Sequence, residues 1–88
     1  MAYEVRFSKR AERFVRRLPD RDFNRVTKAI RVLEEDPRPR GTKKLRTTAP
    51  QWRLRVGPYR IVYTVLDDDR IVTIESVLRR TTRTYKDI

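Results

Sequence analysis

The segment from Gln51 to Val65 limits the possible folds of this chain more than any other segment. It contains two runs in which apolar and polar residues alternate, joined by Gly57-Pro58. Such alternation is the period of a half-buried strand, and glycine with positive φ followed by proline suits a two-residue type II′ turn. The segment therefore predicts an antiparallel β-hairpin with its turn at Gly57-Pro58.

The two-residue turn also sets which residues pair across the hairpin. It pairs Val56 with Tyr59, and alternate residues of both strands then point to the same side of the sheet. One side carries the large apolar residues Trp52, Leu54, Ile61 and Tyr63. The other side carries Arg53, Arg55, Arg60 and Val62, and we call it the cationic face.

A second hairpin turn is predicted at Asp67-Asp68-Asp69. A two-residue loop at Asp68-Asp69 puts Val72, Ile74 and Ser76 on the apolar side and Glu75 on the cationic face. A three-residue loop would bury the Glu75 carboxylate without a partner, which is costly, so we reject it. Because the turn accounts for the three aspartates, no metal site is predicted, and no cofactor.

The N-terminal part of the chain predicts one strand and two helices. Residues 2–7 alternate like a strand. Ser8 is a candidate N-cap for a short amphipathic helix that ends at Pro19, and Asp20 is a candidate N-cap for a second helix that stops before Pro37. A short strand is predicted from Lys43 to Arg46.

These elements predict one α+β domain across residues 1–88. The expected fold is a small antiparallel sheet with two N-terminal helices packed on one face, in the order β-α-α-β-β-β, followed by a short C-terminal tail.

Charge and missing residue types narrow the function. The formal net charge is +11 at pH 7, and the chain has no Cys and no His. Nucleic acid is the expected partner of such a surface, and a membrane-surface helix is disfavoured because basic residues occur in every segment. Thiolate and imidazole chemistry are excluded. The first ten residues lack the apolar core of a signal peptide, so we expect a cytoplasmic protein.

A candidate phosphate site lies on the cationic face. Arg55 is directly across from Arg60 in the predicted register, and like charges placed opposite each other destabilise a strand pair. Between Pro37 and Leu66 there are eight basic residues and no acidic one. A phosphate bound between the two arginines would offset their repulsion. The alternative is a solvated face whose arginine stems lie over the sheet.

The C-terminal segment adds basic residues and a phenol. Arg79, Arg80 and Arg83 supply further guanidinium donors. Nearby guanidinium groups would favour the phenolate form of Tyr85. The ring of Tyr85 could instead stack on a base or anchor the tail.

An ordered set of segments resembles the RelE toxins of the RelE/ParE superfamily. The set is the run from Trp52 to Tyr63, preceded by Lys43-Lys44-Leu45-Arg46 and followed by Val77-Leu78-Arg79-Arg80 and Tyr85. The resemblance extends over nearly the whole chain. It implies the toxin of a type II toxin–antitoxin system, which cleaves messenger RNA in the ribosomal A site and is held inactive by an antitoxin protein.

The resemblance also implies site residues. Matched to catalytic positions of the family are Arg53, Arg55, Arg60, Arg80 and, with a one-residue shift in spacing, Tyr85. Assigned to RNA binding are Lys43, Lys44, Arg46, Arg79 and Arg83. Relatives that use a Glu–His pair are not the model, because this chain has no His.

The implied reaction is attack of a ribose 2′-oxygen on the adjacent phosphate, which gives a 2′,3′-cyclic phosphate without a metal ion. Tyr85 is the candidate general base, Arg55 and Arg60 hold the phosphate, and Arg80 stabilises the leaving oxygen. Orientation by the ribosome supplies much of the rate, so free RNA is expected to be a poor substrate. The alternatives are a ParE-like gyrase inhibitor and a non-catalytic RNA-binding module.

Overall fold

Two helices and five strands make up the part of the chain that the computed structural model describes, residues 2–79. The elements are β1 (Glu4–Phe7), α1 (Lys9–Arg16), α2 (Asp20–Glu35), β2 (Thr42–Lys44), β3 (Gln51–Val56), β4 (Tyr59–Leu66) and β5 (Ile71–Arg79). The predicted α+β class is confirmed, and so is the order of one strand, two helices and then strands, although four strands follow α2 where the expected order has three. The short strand predicted from Lys43 to Arg46 is present, but it spans Thr42–Lys44 and ends before Leu45.

The strands form one mixed sheet in the order β1-β5-β4-β3-β2. The pairs β2–β3, β3–β4 and β4–β5 are antiparallel, whereas β1 runs parallel to β5. The expectation of a wholly antiparallel sheet therefore needs correction at β1. Tight turns between consecutive strands impose antiparallel pairing, but two helices follow β1 and leave its direction unconstrained by any turn.

The β3–β4 hairpin has the predicted register. Val56 pairs with Tyr59 and Arg55 with Arg60, and Gly57 has a φ of +56° in the turn between them. The large apolar residues lie on one side, where Leu54, Ile61 and Tyr63 are buried and Trp52 packs against them half-buried. The cationic face is therefore on the opposite side of the sheet, as predicted.

The β4–β5 hairpin follows the predicted two-residue loop and then departs from it. The Arg70 amide donates to the Asp67 carbonyl at 3.2 Å, and Val72 and Ile74 are fully buried. Beyond Ile74 a β-bulge shifts the register, so that Val77 pairs with Ile61, and Ser76, which was predicted on the apolar side, pairs with Val62 of the cationic face. The extra residue brings the apolar Val77 into the core, where it is 2% exposed.

The two helices cover the apolar side of the sheet. Ser8 is the N-cap of α1, since its hydroxyl accepts a 3.1 Å hydrogen bond from the Ala11 amide. The predicted cap of α2 is wrong by one residue, because Asp20 is already helical and Pro19 occupies the N-cap position without a side-chain bond. Ala11 and Val15 of α1 and Val26, Ile30 and Leu33 of α2 complete the core. Neither helix in residues 2–79 has the length and apolar character needed to cross a membrane.

Candidate nucleic-acid interface

The cationic face is built from the outward residues of three neighbouring strands. Side chains that pair directly across a ladder share a face. Arg53 of β3 pairs with Val62 on one side and with Lys43 of β2 on the other, so Lys43 joins this face. Arg55 of β3 pairs with Arg60 of β4, two residues closer to the turn along each strand. Four basic side chains thus lie on one rigid surface.

Arg55 and Arg60 differ in how far they extend into solvent. Arg55 is exposed, whereas Arg60 and Arg53 are half-buried and their Nε atoms are shielded from solvent. Arginine stems packed over the sheet limit the positions that the guanidinium groups can take. Direct pairing of Arg55 with Arg60 concentrates positive charge beside the turn, which suits a bound phosphate.

The carboxylate of Glu75 reaches the cationic face. Glu75 lies at the β-bulge, and its Oε2 accepts a 3.0 Å hydrogen bond from the Thr64 hydroxyl. Thr64 alternates with the buried Tyr63 and Val65, so it points to the cationic side of β4. The predicted placement of Glu75 on this face therefore agrees with the structure.

The remaining predicted RNA-binding residues are distributed over several places. Lys44 pairs with Trp52 and Arg79 pairs with Tyr59, so both lie on the helix side of the sheet, away from Arg60. Arg46 is exposed in the loop between β2 and β3. Arg80, Arg83 and Tyr85 lie outside the described residues. The cationic face therefore gathers Lys43, Arg53, Arg55 and Arg60 from the predicted set.

Side chains of α2 hold the turn end of the β3–β4 hairpin. The Tyr59 hydroxyl donates a 2.7 Å hydrogen bond to Asp22, which raises the pKa of that phenol. Tyr59 is 1% exposed, and its ring meets Phe14 of α1 edge-on at 6.2 Å between centroids. The strand that carries Arg60 is thus anchored to both helices at its first residue. Sequence reasoning did not identify this contact, which joins positions far apart in the chain.

A second polar network fastens the loop before β2 to the β4–β5 turn. Asp67 accepts hydrogen bonds from Arg38 at 2.5 Å and from Tyr3 at 2.7 Å, and these lower the pKa of its carboxyl. Arg38 also lies 5.1 Å from the Trp52 ring centroid. The buried Tyr63 hydroxyl donates to the Pro37 carbonyl at 2.7 Å, and burial raises the Tyr63 pKa to about 12. Asp67 therefore makes structural contacts that join the β4–β5 turn to the loop before β2 and to the residue before β1.

Comparison with known proteins identifies related toxins. A family model described as the ParE toxin of type II toxin–antitoxin system, parDE, matches residues 5–83. The chain is 31% identical over 83 residues to "Putative toxin RelE1" of Methanocaldococcus jannaschii, which covers 91% of this chain and 92% of that relative.

Solved structures share the same fold over nearly the full length. The archaeal RelE–RelB complex of Pyrococcus horikoshii matches with a TM-score of 0.83 at 29% identity, covering 93% of this chain and 99% of that one. The isolated RelE toxin of E. coli matches with a TM-score of 0.81 at 27% identity, covering 98% and 94%. The toxin–antitoxin complex RelBE2 of Mycobacterium tuberculosis matches with a TM-score of 0.77 at 34% identity, covering 91% and 100%.

Proposed function

The chain belongs to the RelE/ParE superfamily of toxins from type II toxin–antitoxin systems, and on that premise we propose that it is a ribosome-dependent endonuclease of messenger RNA. The observation that carries this proposal is the Arg55–Arg60 cross-strand pair, which lies on the same face as Arg53 and Lys43. Two arginines that pair directly across neighbouring strands can both donate to one phosphate, and the strands fix the backbone positions from which their side chains extend.

In the proposed reaction the 2′-oxygen of a ribose attacks the adjacent phosphorus and the 5′-oxygen of the next nucleotide leaves. Arg55 and Arg60 bind the phosphate and stabilise the charge that develops on its oxygens. Tyr85 takes the proton from the 2′-hydroxyl, and Arg80 stabilises the leaving oxygen. Arg80 acts through its charge, because a guanidinium stays protonated in proteins. The ribosome aligns the 2′-oxygen with the leaving group.

Mapping of RNA ends in a translating extract tests this function. With the protein present, messenger RNA engaged by ribosomes is expected to acquire cuts that end in a 2′,3′-cyclic phosphate and a 5′-hydroxyl. The same RNA without ribosomes should be cut poorly, because the chain has no His or Cys base and depends on orientation. Intact messenger RNA on stalled ribosomes would contradict the proposal, and loss of cutting in a chelator that leaves ribosomes intact would contradict metal-free chemistry.

A ParE-like gyrase inhibitor is the second candidate, favoured by the description of the matching family model. Gyrase supercoiling assays run beside the translation assay separate the two functions. Inhibition of supercoiling with unaffected messenger RNA would support the ParE-like function. A protein that binds RNA without cutting it and leaves gyrase active would be a non-catalytic RNA-binding module.

The proposed partner that controls the toxin is a cognate antitoxin. RelE proteins from P. horikoshii and E. coli have been solved in complex with RelB, and a net charge of +11 favours an acidic or amphipathic partner. Expression of this chain alone is expected to arrest growth. Co-expression with the small protein encoded beside it should restore growth and yield a complex that copurifies. A harmless chain that forms no complex would count against a toxin.

A further inference from the structure

The end of the β3–β4 hairpin carries guanidinium groups on both sides of the sheet. Arg55 and Arg60 lie on the cationic face next to the turn. On the helix side, Arg79 pairs with Tyr59, and Arg25 of α2 reaches the turn itself. We call this pair, Arg25 and Arg79, the helix-side pair.

Arg25 lies directly against the turn. A Cβ added to Gly57 would clash with Arg25 Nη1, so the guanidinium occupies the space that the side chain of a larger residue would fill. Gly57 also has a φ of +56°, which favours glycine independently. Arg25 remains exposed in this position. Its charge therefore lies at the turn end of the hairpin, on the helix side of the sheet.

Arg79 lies on the same side of the sheet as Tyr59. Its Cζ is 5.8 Å from the Tyr59 ring centroid, and its side chain is exposed. Asp22 is the carboxylate that contacts this residue cluster, and it accepts the hydrogen bond from the Tyr59 hydroxyl. Within residues 2–79, the charged groups that act on the Tyr59 phenol are this carboxylate and the guanidinium groups of Arg79 and Arg25, so the net charge around it is positive.

We propose that one RNA strand crosses the end of the β3–β4 hairpin, with one phosphate at Arg55 and Arg60 and a neighbouring phosphate at Arg25 and Arg79. The Gly57-Pro58 turn separates the two pairs, and the Arg25 guanidinium lies against Gly57, so positive charge continues around the end of the hairpin. Guanidinium groups are suited to bidentate phosphate recognition on both sides. The inference rests on the proposed function, because it takes the cationic face as the site of messenger RNA.

The salt dependence of RNA binding tests this path. The probe is a fluorescein-labelled nonamer of 2′-O-methyl uridine, which cannot be cut by 2′-attack, and binding is followed by fluorescence anisotropy over a series of salt concentrations. Each lost phosphate contact is expected to reduce the slope of log K against log salt by about 0.7. Because Arg25 and Arg79 bind the same phosphate, Arg25→Gln and Arg79→Gln should each reduce the slope by up to this amount, and the double variant should reduce it by about 0.7 in total.

A matched control on the same helix is Arg31→Gln, because Arg31 lies toward β1, in a groove with Val5 and Phe7. This variant should keep the wild-type slope, and Arg25→Lys, which retains the charge, should restore most of it. Equal slopes for Arg25→Gln and Arg31→Gln would overturn the proposed path, and so would failure of the wild type to bind the probe. Urea unfolding of each variant verifies that it is folded. If Arg25→Gln does not fold, Arg79→Gln provides an independent test.

The binding experiment tests the RNA path independently of the proposed nuclease activity, because the probe is never cut. A reduced slope in Arg25→Gln together with intact messenger RNA in the translating extract would retain the RNA path and reject the nuclease. Cutting of messenger RNA with an unchanged slope would retain the nuclease and reject the path.

Discussion

Tyr85→Phe is expected to lower single-turnover cleavage of ribosome-bound messenger RNA by about 10²–10⁴-fold, the usual contribution of a general base. The substitution keeps the aromatic ring and removes only the phenol oxygen that is proposed to accept the proton of the 2′-hydroxyl. Binding to the ribosome should therefore be retained. The measurement is a single-turnover time course at saturating toxin, accompanied by a sedimentation assay of ribosome binding.

Tyr3→Phe is the matched control for this experiment. It removes the same oxygen from a tyrosine whose hydroxyl is bonded to Asp67, in the network that braces the sheet. Cleavage by Tyr3→Phe should remain close to the wild-type rate. A Tyr85→Phe variant that also cleaves at nearly that rate would show that Tyr85 is not the base.

Arg55→Ala and Arg60→Ala are each expected to lower kcat/KM for cleavage by about 10²–10³-fold, because each removes donors from the charge that develops on the phosphate. If both groups bind the same phosphate, the double variant should lose less than the product of the single losses. The three variants and the wild type form a double-mutant cycle, measured under single-turnover conditions. Independent solvated arginines would instead give small losses that multiply.

Removal of either arginine is expected to lower cleavage without lowering the stability of the fold. Arg55 and Arg60 face each other across β3 and β4, so removal of either charge relieves a repulsion between strands. Arg55→Ala is therefore expected to leave the free energy of unfolding unchanged or slightly increased, as measured by urea unfolding. A large loss of stability would mean that the loss of cleavage reports unfolding rather than a lost phosphate contact.

Much of the cationic face could be predicted because its geometry is local. A two-residue turn at Gly57-Pro58 and strict alternation determine every pair of the β3–β4 hairpin, and hence the face on which Arg53, Arg55 and Arg60 lie. The first pairs of the β4–β5 hairpin followed from the loop in the same way. Prediction failed at the β-bulge, because strict alternation continued the register through Glu75 and put the polar Ser76 on the apolar side. In the structure the inserted residue lets the apolar Val77 pair with Ile61 instead.

Local patterns in the sequence thus determined the β3–β4 hairpin, the first pairs of the β4–β5 hairpin, the cationic face and the amphipathic helices, since each depends on neighbours in the chain. The tertiary structure alone decided the parallel pairing of β1 with β5, the helix-side position of Arg79 and the contact of Arg25 with Gly57. It also decided that Asp22 bonds to Tyr59. These features join residues far apart in sequence, and they depend on how the helices pack over the sheet, which no local pattern of residues specifies.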